Sequence, residues 1–159
     1  MSEWEKKREI MLHYDQTATG YDTQYSEEQK AKIEAALDLL RLTDNSLVLD
    51  MGCGTGLLFP YIAEKIELLV GIDLSLNLLK QAKKRMKNYS NTHIILADAD
   101  LTPFQNQIFH TAFAITLMQN MPNPPATVKE IERITKPKST IVLTTLKKKF
   151  APEAILKLI

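Results

Sequence analysis

The stretch Val48-Leu49-Asp50-Met51-Gly52-Cys53-Gly54-Thr55-Gly56 decides the fold. It reads as a short apolar strand ending on an acid, followed by three glycines separated by single residues. A helix-compatible segment, Leu57 to Lys65, comes next, with Pro60 placed in its first turn, where a missing N–H does little harm. Glycine lets the backbone turn sharply and lets a ligand approach the main chain. A glycine loop between strand and helix also brings backbone N–H groups to a helix N-terminus.

Outward from this loop, apolar runs alternate with amphipathic ones. Strands are expected at Ser46–Asp50, Leu68–Ile72, Thr92–Leu96, Thr111–Leu117 and Thr140–Thr145. Helices are expected at Leu57–Lys65, at Leu76–Asn88 with Ser75 as its cap, and at Thr127–Thr135. Met121-Pro122-Asn123-Pro124-Pro125 reads as a chain-breaking turn, and Pro152 to Ile159 as a short terminal helix. Strands alternating with helices predict a Rossmann-like, doubly wound α/β fold, mainly parallel, with helices on both faces. Ahead of this core, Ser2–Tyr14 reads as a helix with Trp4, Met11 and Tyr14 on one face, and Asp15–Tyr25 as a loop. Ser26 with Gln29 forms a capping-box pattern that opens a helix to about Leu42, with Ile33, Ala36, Leu37 and Leu40 inward. The chain is thus one domain over 1–159: a helical lid segment (1–42), a core (46–146) and a tail (147–159).

Composition narrows the classes. The chain has 159 residues, 45% hydrophobic and 25% charged, with a formal net charge of +1. That is a soluble globular profile, and it neither requires nor forbids nucleic acid. Cys53 is the single cysteine, so no internal disulfide forms, and with no signal-like start the expected compartment is the cytoplasm. His13, His93 and His110 lack metal-ligand spacing, so no metal is expected. No apolar run approaches the roughly 20 residues that cross a bilayer.

In a doubly wound sheet, ligands bind beyond the carboxyl ends of the strands. Those ends carry Asp50 with the glycines, Asp73, Asp98 and Gln119-Asn120. An acid about 20 residues past a glycine loop, here Asp73, is placed to accept from two ribose hydroxyls. Asp98 is placed to accept from an adenine amino group, with Asp100 competing for the role. The glycine spacing is G-x-G-x-G, and Leu57 stands where a dinucleotide fingerprint needs its third glycine. Asp50 before the loop would repel a pyrophosphate and suits a ligand bearing an ammonium. No Gly-Lys-Ser/Thr follows, which disfavours phosphate-loop chemistry.

The chain resembles the class I S-adenosylmethionine-dependent methyltransferases. Leu49-Asp50-Met51-Gly52-Cys53-Gly54-Thr55-Gly56 is similar to that family's first motif, Gly71-Ile72-Asp73-Leu74-Ser75 to its second, and Ala97-Asp98-Ala99 with Leu101-Thr102-Pro103-Phe104 to its third. Phe109–Pro122 and Val128–Pro137 resemble its fourth strand and the helix and turn before its fifth, so the likeness covers about Tyr14 to Leu146. The resemblance implies S-adenosylmethionine as cofactor. Gly52, Cys53, Gly54 and Gly56 would pass its amino-acid moiety, with Asp50 orienting the ammonium through the loop. Asp73 would take the ribose, Leu74 the adenine face, and Asp98 with Ala99 the adenine edge. Tyr21 and Tyr25 would form a lid over the methionine part. Read from the residues themselves, Gln119 and Asn120 can hold an acceptor by hydrogen bonds or simply cap their loop, and with Tyr21 they are the acceptor-side candidates, while no catalytic residue is assigned. The amino-methylating Asn-Pro-Pro-Tyr signature is absent: Asn123-Pro124-Pro125-Ala126 comes late and lacks the aromatic. The usual Pro-Gly-Gly turn is Pro137-Lys138-Ser139, and the acid that starts the family's fourth strand is His110.

The implied fold has two further strands, an antiparallel C-terminal hairpin, which is missing or reduced here. The chain is then either a reduced member or a piece of a longer protein. A homodimer contact or an activator subunit is expected to cover the exposed sheet edge. The expected acceptor is a small molecule, with RNA or protein as alternatives. Lys147-Lys148-Lys149 near the mouth suits RNA phosphates, whereas Lys83-Lys84-Arg85-Lys87 reads as a solvated helix face. Two other readings stay open: a non-catalytic cofactor-binding or scaffold subunit, and an NAD-binding oxidoreductase, which Leu57 and Asp50 oppose.

Overall fold

A computed structural model describes residues 1–146, 148–149 and 152–157. Five parallel strands form one sheet: β1 (Leu47–Met51), β2 (Leu68–Asp73), β3 (Thr92–Leu96), β4 (Phe109–Ile115) and β5 (Thr135–Thr144), in the order β3-β2-β1-β4-β5. The order reverses at β1, between β2 and β4, so the loop after β1 lies at the crevice where such sheets bind ligands. Register is set by the apolar alternation. Val48, Leu69 and Phe113 point to one face, while Leu49, Val70, Ala112 and Ala114 point to the other. Both faces are buried, which explains why these strands read as continuous apolar runs.

Among the described residues, six helices accompany the sheet: α1 (Glu3–Thr17), α2 (Tyr21–Asp38), α3 (Phe59–Ile62), α4 (Leu76–Met86), α5 (Pro124–Ile134) and α6 (Pro152–Leu156). Ile33 and Ala36 of α2, Phe59 and Ile62 of α3, and Leu79 and Ala82 of α4 fill one face. Val128, Ile131 and Ile134 of α5 fill the other. The expected doubly wound architecture is present.

Several expectations are corrected. Asp15–Tyr25 is helical rather than a loop: α1 runs to Thr17, a 3₁₀ turn covers Ala18–Gly20, and α2 starts at Tyr21. Ser26 and Gln29 therefore sit inside α2 and cap nothing; the capping box is Ser2 with Glu5, at the start of α1. Tertiary anchors hold this polar stretch. Asp22 accepts from Thr55 Oγ1 at 2.6 Å and from Arg85 Nη2 at 2.5 Å, and Arg85 Nη1 also donates to the Thr55 carbonyl at 2.7 Å. Arg85 is thus not part of a purely solvated face. Trp4 is exposed, and the buried member of α1 is Lys7.

The segment after the glycines forms only the four-residue α3 and a 3₁₀ turn, Ala63–Lys65, before the chain enters β2. Asn123 caps α5 through a bond from Ala126 N, and Pro124 and Pro125 occupy its first turn, so this dipeptide begins a helix instead of breaking the chain. Pro137-Lys138-Ser139 lies within the span of β5, where Lys138 takes φ +63° and the pairing with β4 shifts register. His110 keeps a structural task at the start of β4: its Nδ1 accepts from Leu47 N at 2.9 Å. No strand follows β5 among the described residues. Ile141, Val142 and Leu143 leave β5 half-buried at the sheet edge. No described helix is long and apolar enough to cross a membrane. Lys147, and the Leu158-Ile159 end of the expected terminal helix, lie outside the described residues.

The loop between β3 and β4 is tied to α5 by Glu130. Its Oε1 accepts from Thr102 N at 2.8 Å and from Thr102 Oγ1 at 2.5 Å, and Arg133 grips both of its oxygens at 2.7 and 2.8 Å. The Arg133 guanidinium, together with the Thr102 bonds, pulls the Glu130 carboxyl down to about 2 against the opposing effect of burial. A depressed folded-state value stabilises above the ordinary carboxylate range, and that stability is lost as pH falls from about 4.5 toward 2. Glu130→Gln should lower Tm at pH 7 by about 3–6 °C and flatten the acid limb of the Tm–pH curve; thermal melts from pH 7 to 2 check both.

Candidate functional site

The crevice beyond β1 is built by the glycine loop. Gly52, Gly54 and Gly56 all have positive φ, at +73°, +55° and +79°. Two of these positions admit nothing larger for a second reason. A Cβ on Gly52 would meet Leu117 Cδ1 at 2.9 Å, and one on Gly56 would meet Phe59 Cε2 at 2.6 Å. The loop folds back on its own scaffold. Gly52 N and Cys53 N both donate to the Ile72 carbonyl, at 2.8 and 2.9 Å, and Gly56 N donates to the Cys53 carbonyl at 2.9 Å. Gly54 N donates to Asp73 Oδ2 at 2.9 Å. Four loop amides are therefore engaged internally. A phosphate-gripping loop leaves such amides free for the anion, so this one is shaped for a ligand without phosphate.

Asp73, at the end of β2, is fixed from two sides: Oδ2 by Gly54 N and Oδ1 by Ser75 N at 2.8 Å. Burial pushes its pKa up, and the bonds from Ser75, Gly54 and Leu74 pull it back down. Each oxygen keeps a lone pair for a donor in the cleft. Ser75 also accepts from Leu78 N, which caps α4 and aligns its first turn with the same cleft.

The main cleft is lined by Gly52, Gly54, Asp73, Leu74, Asp98 and Ala99 from the strand ends, all of which the sequence singled out. It is also lined by Lys7, Ile10, Met11 and Tyr14 of α1 and by Thr116, Leu117 and Asn120 after β4. Ile10, Met11 and Lys7 carried no signal as site residues, because only the tertiary path of α1 brings them there. Tyr21 lines this cleft and reaches two others.

Not every expected residue gathers here. Asp50 and Cys53 line a separate cavity of about 30 Å³ beneath the loop, with Tyr21, Gln29 and Ile33. Asp50 is 3% exposed; burial first, and the Asp73 charge second, push its carboxyl up to about 8. Cys53 is buried, and burial, then the neighbouring Asp50 and Asp73, push its thiol up, which leaves it an inert small packing residue. Gly56 packs on Phe59. Asp98 does not stand alone: Lys7 donates to both of its oxygens, at 2.7 and 2.8 Å, and lies 2.6 Å from Asp100 Oδ2.

A second cleft of about 370 Å³ adjoins the first and shares Ile10, Tyr14, Tyr21, Thr116 and Asn120 with it. Tyr25, Gln119, Gln29, Glu9, Glu28, His13, Leu146 and Lys149 complete its wall. Tyr14, Tyr21 and Tyr25 form a contiguous aromatic run, with ring centroids 6.0 and 4.9 Å apart. Asn120 Nδ2 donates to Tyr14 Oη at 3.0 Å, and Gln119 Oε1 is buried with no hydrogen-bond partner. Thr116 has φ +58°, a genuine outlier for a β-branched residue, at the junction of the two clefts. Thr116 N bonds the Thr144 carbonyl at 3.0 Å, Lys32 Nζ donates to Thr116 Oγ1 at 2.9 Å, and Oγ1 donates to Gln29 Oε1 at 3.1 Å; these hold the strained residue in place. Among the described residues, no cluster of His, Cys, Asp and Glu could hold a metal ion.

Comparison with known proteins places this geometry. Residues 49–143 match the methyltransferase domain family. The malonyl-[acyl-carrier protein] O-methyltransferase of Marinomonas sp. is 32% identical over 149 residues, covering 92% of this chain and 55% of that protein. An uncharacterized protein of Methanocaldococcus jannaschii, MJ1252, is 30% identical over 142 residues, covering 87% of this chain and 52% of that protein. The chain thus spans about half the length of these curated relatives. Among solved structures, the complex between the Haloferax volcanii Trm112 methyltransferase activator and the putative methyltransferase superposes with TM-score 0.75 at 22% identity, over 80% of this chain and 57% of that one. Haemonchus contortus phosphoethanolamine N-methyltransferase 1, in complex with phosphoethanolamine and S-adenosylhomocysteine, gives 0.76 at 16% identity, over 89% and 32%. At these identities the structural matches report the shared fold.

The raised Asp50 value carries a stability consequence. An acid whose folded-state pKa lies above its ordinary 3.8 destabilises the fold progressively as pH rises from about 4 to about 8. Asp50→Asn should therefore make the ligand-free protein more stable at pH 8, by about 1–3 kcal/mol, with the difference closing toward pH 4. Urea denaturation at the two pH values reads it out.

Proposed function

The chain belongs to the methyltransferase domain family of class I S-adenosylmethionine-dependent methyltransferases, and on that footing we propose that its main cleft binds S-adenosylmethionine and that it methylates a small molecule held in the adjoining cleft. One observation carries the cofactor reading: the Asp73 carboxylate, locked by Gly54 N and Ser75 N, faces a cleft whose glycine-loop amides are already engaged. A carboxylate held this way is ready for two ribose hydroxyls, and the loop offers no cradle to a pyrophosphate.

The residues present fit that cofactor. Asp73 would hold the ribose, Leu74 and Ala99 offer apolar surface to the adenine, and Asp98 offers it a carboxylate. Tyr21, whose ring lies 4.0 Å from where a Cβ on Gly54 would stand, presents an aromatic ring where a sulfonium would profit from cation–π attraction. Asp50, buried beneath the loop with its carboxyl pushed up to about 8, would act on an ammonium only through the loop, and a positive charge above the glycines would favour its ionised form. The cofactor supplies an activated methyl group on sulfur, so the protein's task is mostly positioning.

The second cleft supports the acceptor reading. Its 370 Å³ is the scale of a small-molecule site, and it meets the main cleft across Tyr14, Tyr21, Thr116 and Asn120. Gln119 brings a buried oxygen with no partner among the described residues, which an N–H or O–H donor on the acceptor would satisfy. Among the described residues Lys149 is the lysine that lines that wall, beside Glu9 and Glu28, a balance that favours a small acceptor over an RNA backbone. The half-buried β5 edge suits an activator subunit, and the Haloferax volcanii neighbour, in complex with its Trm112 activator, supports that partner class.

Titration calorimetry tests the cofactor assignment. The wild-type protein should bind S-adenosylmethionine in a one-to-one complex and ignore NAD. Asp73→Ala should weaken that binding by roughly 1.5–3 kcal/mol, about tenfold or more, through loss of charge-assisted hydrogen bonds. An unchanged affinity would remove Asp73 from the ribose site.

A further inference from the structure

Lys7 is the buried cation of α1, 8% exposed, and nothing in the chemistry of methyl transfer calls for it. Its ammonium is held by three carboxylate oxygens: Asp98 Oδ1 at 2.7 Å, Asp98 Oδ2 at 2.8 Å and Asp100 Oδ2 at 2.6 Å. The two acids are fixed independently of it. Asp100 N donates to Asp98 Oδ1 at 3.0 Å, and Asp100 Oδ1 accepts from Thr127 Oγ1 of α5. Lys7 is therefore the removable partner of a preformed anionic seat, 91 residues away along the chain.

The opposite end of α1 is fastened too. Asp15 accepts from Ser75 Oγ at 2.5 Å and from Asn77 N at 3.1 Å, beside the Asp73 turn. Between the two fastenings, Ile10, Met11 and Tyr14 form one wall of the main cleft. α1 therefore covers one side of the cleft while fastened at both ends, and lifting it parts Lys7 from both carboxylates.

We propose that Lys7 is the clasp of a lid formed by α1: it seats on Asp98 and Asp100 when the lid is shut, and so sets how fast the cofactor exchanges. The proposal rests on the main cleft being the S-adenosylmethionine site. It makes Lys7 a positioning residue in a second sense, since the Asp98 carboxylate it grips is the one offered to the adenine edge. Opening the lid exposes two adjacent carboxylates with no cation between them, which favours reclosure.

Trp4, the single tryptophan, lies on α1 one turn before Lys7 and is 54% exposed, so its fluorescence reports the lid. Stopped-flow mixing with S-adenosylhomocysteine gives association and dissociation rates directly. Lys7→Met should raise the dissociation rate about tenfold or more and also speed association, so that Kd moves less than either rate. Lys7→Arg should restore slow exchange. Asp100→Asn, which keeps the Asp98 contact and does not depend on Lys7→Met folding, should fall between them. Circular dichroism melts separate a loosened lid from a loosened fold. Wild-type binding with exchange rates unmoved by folded Lys7→Met or Asp100→Asn would overturn the clasp alone. Failure of the wild-type protein to bind S-adenosylhomocysteine would overturn the cofactor reading and the clasp together.

Discussion

The hydrogen bonds from Gly54 N and Ser75 N to the two oxygens of Asp73 are the contacts on which the rest depends. They join the loop after β1 to the turn after β2 at the point where the strand order reverses. They consume a loop amide that would otherwise attract an anion, and they leave a carboxylate facing the cleft with lone pairs to spare. The positive φ values of the three glycines serve this arrangement. At Gly52 and Gly56 the approach of Leu117 and Phe59 leaves no room for a side chain. Ligand choice follows from the same contacts, which disfavour phosphate and leave acceptors for hydroxyl and amino donors.

Around that centre the protein concentrates acids, one buried and three half-buried. Asp50 lies beneath the loop and Asp73 at its edge, while Asp98 and Asp100 stand one strand further on. The second pair is compensated by Lys7. The first pair has no cation beside it among the described residues, and burial pushes both carboxyls up. Such an uncompensated site costs the empty protein stability, and a cationic occupant recovers it. This is the stability–function exchange expected where a fold is shaped for its ligand.

The core was legible because its signals are local. The β3 span Thr92–Leu96, the Ser75 cap and the strand-end acids follow from alternation, capping chemistry and turn chemistry within a few residues. The glycine spacing likewise identified Gly52, Gly54 and Asp73 as cleft residues, and the resemblance it carries matches the family found. The N-terminal region was not legible in the same way. Asp15–Tyr25 is rich in turn-forming residues, and its helical state depends on Asp15 meeting Ser75 and Asn77, and on Asp22 meeting Thr55 and Arg85. Those partners lie far along the chain, so no window of sequence contains them. Lys7 is the sharpest case, since a lysine among Lys6, Arg8 and Glu9 looks solvated until the fold delivers Asp98 and Asp100 to it. Pro124-Pro125 misled in another way: two prolines signal a break or a helix start equally, and the Asn123 cap decides for the start.

The central claim is that Asp73 and the closed glycine loop form the ribose end of an S-adenosylmethionine site. The most direct test is a crystal structure of the protein grown with S-adenosylhomocysteine. The account predicts both ribose hydroxyls within hydrogen-bond distance of Asp73, the adenine between Leu74 and Ala99, and α1 closed over the ligand with Lys7 on Asp98. A ligand bound elsewhere, or one whose ribose turns away from Asp73, would contradict it.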